Sequence, residues 1–203
     1  MEYSIYSYVN KFPEFNSIIS NNEITEGSAD DTECKSFKEN KLREYTDLNK
    51  SFIDTCSEIA GRHDKIIKKA KTSEIALCIY INYWIYDTLK SIDKFSHKEL
   101  LNNFYKNIEN LNFCRMYKTP IEEDIYDELK ELYDLYDHFI MFKKESNENI
   151  DGSCQKAENF LQLYEKSAGK CKRNYNNYYC WELIKIRAEY EHNRVHAKRF
   201  YII

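Results

Sequence analysis

Two histidines, His192 and His196, have the spacing most suggestive of chemistry in this chain. They stand four residues apart, so in a helix both imidazoles would lie on one face. Zinc metalloproteases use this spacing with a glutamate directly after the first histidine. Here Asn193 follows His192, and no nearby cysteine or acid is clearly placed to converge on the pair. The pattern therefore favours a solvated, charged helix over a catalytic metal centre.

Other polar clusters also have simple structural interpretations. Three carboxylates, Glu122, Glu123 and Asp124, fall at a predicted helix start, where the helix dipole favours them. The lysines in Lys68–Lys71 could bind a phosphate or a sulfated sugar, but the pattern favours a solvated loop. The glycosylation sequon at Asn49 lies inside a predicted helix. The chain has no P-loop, no glycine-rich dinucleotide turn and no GxSxG nucleophile, so we predict no catalysis, cofactor or metal.

The composition predicts an all-α protein. The 203 residues include only 4 glycines and 2 prolines, and helix-forming residues are abundant. The 18 tyrosines suit helix–helix seams, because each offers a large ring with a polar tip. The net charge of −4 gives no support to nucleic-acid binding or to attraction by an anionic membrane.

The seven cysteines are dispersed, and none forms a CxxC pair. Dispersed positions near predicted helix ends favour disulfides in an oxidising compartment over zinc ligation. In a cytosolic protein the same residues would be reduced, buried thiols. The odd number leaves one cysteine free or paired outside this chain.

Geometry along the predicted helices suggests which cysteines could pair. Cys34 and Cys56 bracket one predicted helix and would lie about 33 Å apart, too far for a disulfide. Cys56 ends that helix and Cys78 lies in the next, so these two could meet. Cys171 could reach Cys180 across a short loop. One further pair is expected within the remaining set, which is Cys34, Cys114 and Cys154.

The order of patterns predicts one helical domain over 1–203. Aromatic residues mark short N-terminal helices in 1–20, and a polar, acidic stretch at 21–35 reads as an exposed loop. Helices then fill 36–200, and their predicted spans are 36–60, 73–90, 96–113, 119–144, 153–167 and 178–200.

The run Ser73–Leu89 is predicted to be the central buried helix. From Ile75 to Tyr86 only Asn82 lacks a large apolar or aromatic side chain, so the helix is apolar on every side. A membrane span needs about 20 apolar residues, which is longer than this run. A buried Asn82 needs a hydrogen-bond partner, and we expect a neighbouring helix or a tyrosine to provide it.

The N-terminal dozen residues lack a basic segment followed by an apolar one, so no signal peptide is predicted, and no transmembrane segment is expected either. Secretory signals usually accompany disulfides, so these two expectations are in tension.

The stretch from Cys78 to Asp87 resembles a known motif. It reads CIYINYWIYD and is similar to the C-x-Y-L-N-Y-W-I-Y-D core of the Plasmodium interspersed repeat (PIR) family, in the Vir branch of Plasmodium vivax, with Ile81 in place of leucine. Lys11-Phe12-Pro13 and the cysteines around the motif also fit. The core signature consists of Cys78, Asn82, Tyr83, Trp84, Ile85, Tyr86 and Asp87.

The resemblance implies a variant surface antigen of the malaria parasite, exported to the infected red-cell membrane or beyond and involved in immune evasion. Such a domain would bind a host cell-surface protein or an antibody and would catalyse nothing. Its membrane attachment would come from a transmembrane helix that is absent from this chain, so this chain itself is expected to be soluble. The alternative is a soluble intracellular helical scaffold or interaction protein with reduced cysteines.

Overall fold

Helices account for the regular structure of the protein in its computed structural model. Within the described residues no strand occurs, which confirms the all-α prediction. The structure describes residues 4–21, 32–43, 52–91, 96–147, 153–173 and 177–199. Its account of side chains leaves out those of 146, 147, 153, 154, 172, 173 and 194–199.

Eight α-helices and three 3₁₀ segments lie in these ranges. The α-helices are α1 (Phe12–Ser20), α2 (Thr32–Lys41), α3 (Phe52–Lys69), α4 (Glu74–Leu89), α5 (His97–Asn107), α6 (Glu123–Asn147), α7 (Ser153–Ala168) and α8 (Tyr178–Arg199). The 3₁₀ segments are Ile5–Lys11, Glu109–Met116 and Gly169–Arg173.

Residue contacts divide the chain into two compact units. The motif unit is Lys11–Tyr126, and the terminal unit combines Met1–Asn10 with Asp127–Ile203. Each unit is described by itself below. The prediction that 1–203 folds as one domain stays a prediction.

Helix α4 is the centre of the motif unit, as the apolar run predicts. It contacts α1, α3, α5 and the second 3₁₀ segment. Aromatic contacts join it to two of these neighbours. The ring centroids of Tyr80 and Phe15 of α1 lie 5.3 Å apart, and Trp84 stacks on Phe52 of α3 with a centroid distance of 5.2 Å. Ten of its side chains are buried, and they are Ala76, Leu77, Cys78, Ile79, Tyr80, Ile81, Asn82, Tyr83, Ile85 and Leu89.

Helix α4 begins at Glu74, one residue after the start of the predicted run, and Ser73 is its N-cap. The Ser73 side chain accepts a hydrogen bond from the Ala76 backbone N–H at 3.4 Å. The predicted helix start at Thr119 is wrong, because α6 begins at Glu123 and residues 118–122 have no regular structure. The reason is a tertiary contact: the Ile121 N–H donates to His97 Nδ1 at 2.8 Å, and the Ile121 side chain is buried.

The continuous helix predicted from Ser36 to Ala60 is interrupted, since α2 ends at Lys41 and α3 begins at Phe52. The interruption brings Cys34 and Cys56 together in a disulfide with a Cα–Cα distance of 5.9 Å. The expectation that these two cannot pair is therefore wrong, as is the expected pairing of Cys56 with Cys78, because both rested on the uninterrupted helix.

The other two disulfides each join elements within one unit. Cys78 of α4 bonds to Cys114 in the second 3₁₀ segment, with Cα atoms 5.2 Å apart. Cys171 and Cys180 are bonded, which places the third 3₁₀ segment beside the first turn of α8. The side chain of Cys154 lies outside the described part of the chain.

In the terminal unit, α6, α7 and α8 share an aromatic core. Phe160 of α7 stacks on Tyr190 of α8 at 4.7 Å and lies 5.9 Å from Phe139 of α6. Phe142 also contacts Tyr190, at 5.3 Å. Ile140 of α6 is 42% exposed.

His97, at the first position of α5, is buried as a neutral imidazole. Its Nδ1 accepts the Ile121 N–H, so the proton of the neutral ring is on Nε2. The ring centroids of His97 and Tyr86 lie 5.2 Å apart, and the two rings are nearly perpendicular. Burial lowers the pKa of His97 to about 4, although the backbone hydrogen bonds of Asn82 and Ile121 oppose the shift.

We expect Trp84→Ala to lower the free energy of unfolding by about 3 kcal/mol, because it removes a ring packed against Phe52 and Phe104. The matched control is Trp181→Ala, whose ring is 54% exposed and whose loss should cost less than about 0.5 kcal/mol. Urea unfolding followed by circular dichroism measures both. Equal effects of the two substitutions would contradict the central position of α4.

A thiol titration tests the disulfides. Six of the seven cysteines are bonded in pairs, so the chain unfolded in guanidinium chloride without reductant should release one reactive thiol. Prior reduction should raise the count to seven. Seven reactive thiols without reductant would instead support the alternative of an intracellular scaffold.

His97 should make the fold sensitive to acid. Its pKa is lower in the folded chain than in the unfolded one, so between about pH 6.5 and pH 4 the unfolded state binds more protons and stability falls as pH falls. From pH 7.5 to pH 5 the loss should be about 2 kcal/mol. His97→Asn keeps an acceptor near Nδ1 and removes the titration. Between pH 7.5 and pH 5 the free energy of unfolding of this variant should fall by about 2 kcal/mol less than that of the unaltered chain. An equal fall in both chains would refute this role of His97.

Candidate binding surfaces

The signature residue Asn82 is an interior hydrogen-bonding group. Its Nδ2 donates to the Tyr117 carbonyl at 3.0 Å, and its Oδ1 accepts from the Tyr105 hydroxyl at 2.7 Å. Tyr105 is buried and Tyr117 is half-buried. Burial raises the pKa of Tyr105, so its hydroxyl stays protonated and donates. This confirms the expectation that a neighbouring helix or a tyrosine provides a partner for Asn82, because Tyr105 lies in α5.

The end of the motif holds the first turn of α6 through Tyr126. The Tyr126 ring stacks on Tyr83 at 5.8 Å and lies 4.9 Å from Tyr86, and its hydroxyl donates to Asp87 Oδ1 at 2.5 Å. Lys90 pairs with Asp87 at 3.2 Å and contacts Tyr126 as well. The motif residues therefore organise the motif unit from inside, and a binding function must be sought on other surfaces.

The outer face of α8 presents three large apolar side chains to solvent. Tyr178 is 58% exposed, Trp181 54% and Ile184 52%. They follow one another at intervals of three residues, with exposed Ala188 one turn further on, so they line one side of the helix. We call Tyr178, Trp181, Ile184 and Ala188 the α8 face. Exposed aromatic clusters of this kind are common at protein–protein interfaces.

The opposite side of α8 is anchored to the terminal unit at its first turns. Cys180 is bonded to Cys171, and Asn177 accepts the Tyr179 N–H at 2.9 Å as a helix cap. The Tyr136 hydroxyl of α6 donates to the buried Glu182 carboxylate at 3.3 Å. The α8 face is therefore carried by a helix that is fixed on its other side.

Glu131 of α6 adds a charged anchor beside these contacts. Its two carboxylate oxygens accept from Lys170 and from the Tyr179 hydroxyl, each at 2.6 Å. Burial by itself raises the pKa of Glu131, but these hydrogen bonds and the lysine charge outweigh it, so the pKa lies below its ordinary value. Glu131 therefore stays ionised and keeps Tyr179 oriented.

The polar clusters noted in the sequence remain dispersed. His192 is exposed, the His196 side chain lies outside the described residues, and no group of three or more potential metal ligands occurs in the part of the chain that is described. The carboxylates of Glu122–Asp124 are exposed at the start of α6, and Lys68, Lys69 and Lys71 are exposed at the end of α3. Asn49, most of the 21–35 loop and 148–152 lie outside the described ranges.

The α8 face was missed in the sequence because α8 carries apolar residues on two sides. Tyr179, Leu183, Ile186 and Tyr190 are buried, whereas Tyr178, Trp181 and Ile184 are exposed. Helical periodicity alone does not say which of two apolar sides packs inward. The signal that could have revealed the α8 face is the number of apolar residues in α8, which is larger than one buried side of a helix needs.

Across the described ranges, no helix combines the length and the apolar character needed to cross a membrane.

Comparison with known proteins identifies the family. The model of the family described as Plasmodium vivax Vir protein matches residues 3–199. No curated protein and no solved structure has significant similarity to the chain. The match covers nearly the whole sequence and includes the motif from Cys78 to Asp87. The chain therefore belongs to the Plasmodium vivax Vir protein family.

Proposed function

We propose that this chain is the binding domain of an exported variant surface antigen, which contacts a host cell-surface protein through the α8 face and catalyses no reaction. Antibodies would recognise its other exposed surfaces. The observation that carries the proposal is the row of Tyr178, Trp181 and Ile184, each more than half exposed on an anchored helix.

The chemistry of the α8 face suits a protein partner. Tryptophan and tyrosine are the residues most enriched among those that dominate binding energy at interfaces, and isoleucine adds apolar area that water hydrates poorly. Other aromatic side chains described in the terminal unit, such as Phe160 and Tyr190, are packed inside it. Exposure of the largest side chain in the unit thus has no packing explanation within the unit.

The anchoring of α8 also favours binding. The Cys171–Cys180 disulfide and the Glu131–Tyr179 hydrogen bond fix the turn that carries Trp181. A face that is ordered before binding loses little conformational entropy when a partner docks, so more of the contact energy appears as affinity.

A variable antigen needs an interior that tolerates changes outside. In the motif unit, Asn82 is buried, and its hydrogen bonds are made to the buried Tyr105 hydroxyl and to the Tyr117 carbonyl. Substitutions at exposed positions leave this network untouched, and most surface substitutions change stability by less than about 0.5 kcal/mol. Three disulfides are in keeping with an oxidising compartment outside the parasite cytosol.

We predict that Trp181→Ala weakens binding to the host protein by about 30-fold, the size expected of an interface hot spot. The partner is first sought by screening the folded, disulfide-bonded domain against ectodomains of red-cell and endothelial surface proteins. Surface plasmon resonance then compares variants on the same partner, with thermal melts showing that each is folded.

The matched control is Met116→Ala, which removes another apolar side chain that is 88% exposed and lies in the motif unit. It should leave the affinity unchanged. If Trp181→Ala binds as tightly as the unaltered domain while Met116→Ala does not, the α8 face is not the contact surface. A domain that binds none of the ectodomains would argue against receptor binding itself.

A further inference from the structure

A groove lies between α6 and α7 on the surface of the terminal unit. Its volume is about 440 Å³, within the range of about 300–1,000 Å³ usual for small-molecule sites. Side chains from both helices line it, and they are Asp134, His138, Asn159, Gln162, Leu163 and Lys166. Gln162 and Lys166 are exposed at the rim, whereas the other four are half-buried.

Helical spacing explains why these residues face one another. Asp134 and His138 are four apart on α6, and Asn159, Leu163 and Lys166 follow one side of α7 at steps of four and three. Beneath them Phe139 and Phe160 make the apolar contact between the two helices. The groove therefore lies above a packed core, and several polar groups are set within a mainly apolar accessible lining.

The polar groups in the groove take their hydrogen bonds from their own helices. Asp134 Oδ1 accepts from Lys130 at 2.6 Å, and Asn159 Oδ1 accepts from Gln155 at 3.1 Å. His138 Nδ1 donates to the Asp134 carbonyl at 2.8 Å, because a carbonyl oxygen can only accept. Within the described residues, no hydrogen bond joins Asp134, His138 and Asn159 across the groove.

These bonds leave a mixed set of donors and acceptors. Asp134 Oδ2 and, in the neutral ring, His138 Nε2 can accept hydrogen bonds, whereas the Asn159 amide nitrogen and the Lys166 ammonium can donate them. Gln162 can do both. Leu163 contributes an aliphatic surface between these groups.

We propose that this groove binds a carbohydrate of one or two rings. A sugar ring offers hydroxyls that both donate and accept, together with an apolar C–H face that suits Leu163. Lys166 at the rim would also pair with a carboxylate, so a neutral sugar and an acidic one share the same chemistry here. The site lies on α6 and α7, apart from the α8 face, and does not rest on the function proposed above.

The test is a titration of the disulfide-bonded chain by ¹H–¹⁵N NMR, with galactose and glucuronic acid as separate probes and glycerol as the open-chain control. A ligand of about a dozen non-hydrogen atoms should bind with a Kd of about 1 mM. We expect saturable shifts at the amides of 134–138 and 159–166 with at least one sugar and none with glycerol. The probe that binds more tightly identifies whether the carboxylate is used.

The double variant Asn159→Ala/Gln162→Ala removes both amides and should weaken binding at least tenfold. Glu158→Ala on the same helix lies outside the lining and should bind as the unaltered chain does. Shifts that are absent with both sugars, that appear equally with glycerol, or that persist unchanged in the double variant would overturn the proposal. Because the α8 face is intact in both variants, host-protein binding is tested independently.

Discussion

Asn82 imposes the constraint on which the motif unit depends. It is an amide within a helix that is otherwise apolar on every side, and an unpaired buried amide costs a few kcal/mol. Its two bonds fix the rotation of α4 against α5, through Tyr105, and the position of the chain at Tyr117. One turn earlier on the same side, Cys78 is bonded to Cys114, so a disulfide and a hydrogen-bond pair hold the same segment.

The parts of the fold that depend on local information could be predicted from the sequence. The apolar run predicts α4 without reference to any other segment. The start of α6 could not be predicted in the same way, because the Ile121 N–H is bonded to His97, 24 residues earlier. The cysteine pairing failed for a related reason: the break between α2 and α3 decides it, and no strong turn signal marks that break.

The binding surfaces were less predictable than the fold. All the residues of the α8 face lie in a helix that was predicted at nearly its true extent, but two of its sides are apolar, and the choice between them is made by distant partners such as Glu131 and Tyr136. The groove depends in the same way on how α6 and α7 pair. Sequence periodicity describes one helix at a time, whereas a surface site is created by what the neighbours leave uncovered.

The order of the disulfides along the chain bears on how the protein matures. Each bond joins cysteines that are consecutive in the sequence, with separations of 22, 36 and 9 residues. A chain threaded N-terminus first into an oxidising compartment would therefore present each cysteine to its correct partner before the next pair arrived. Pairing would proceed without isomerisation until Cys154 emerged ahead of Cys171 and Cys180. Only the last bond then faces competition during synthesis, and it is the bond that fixes the α8 face.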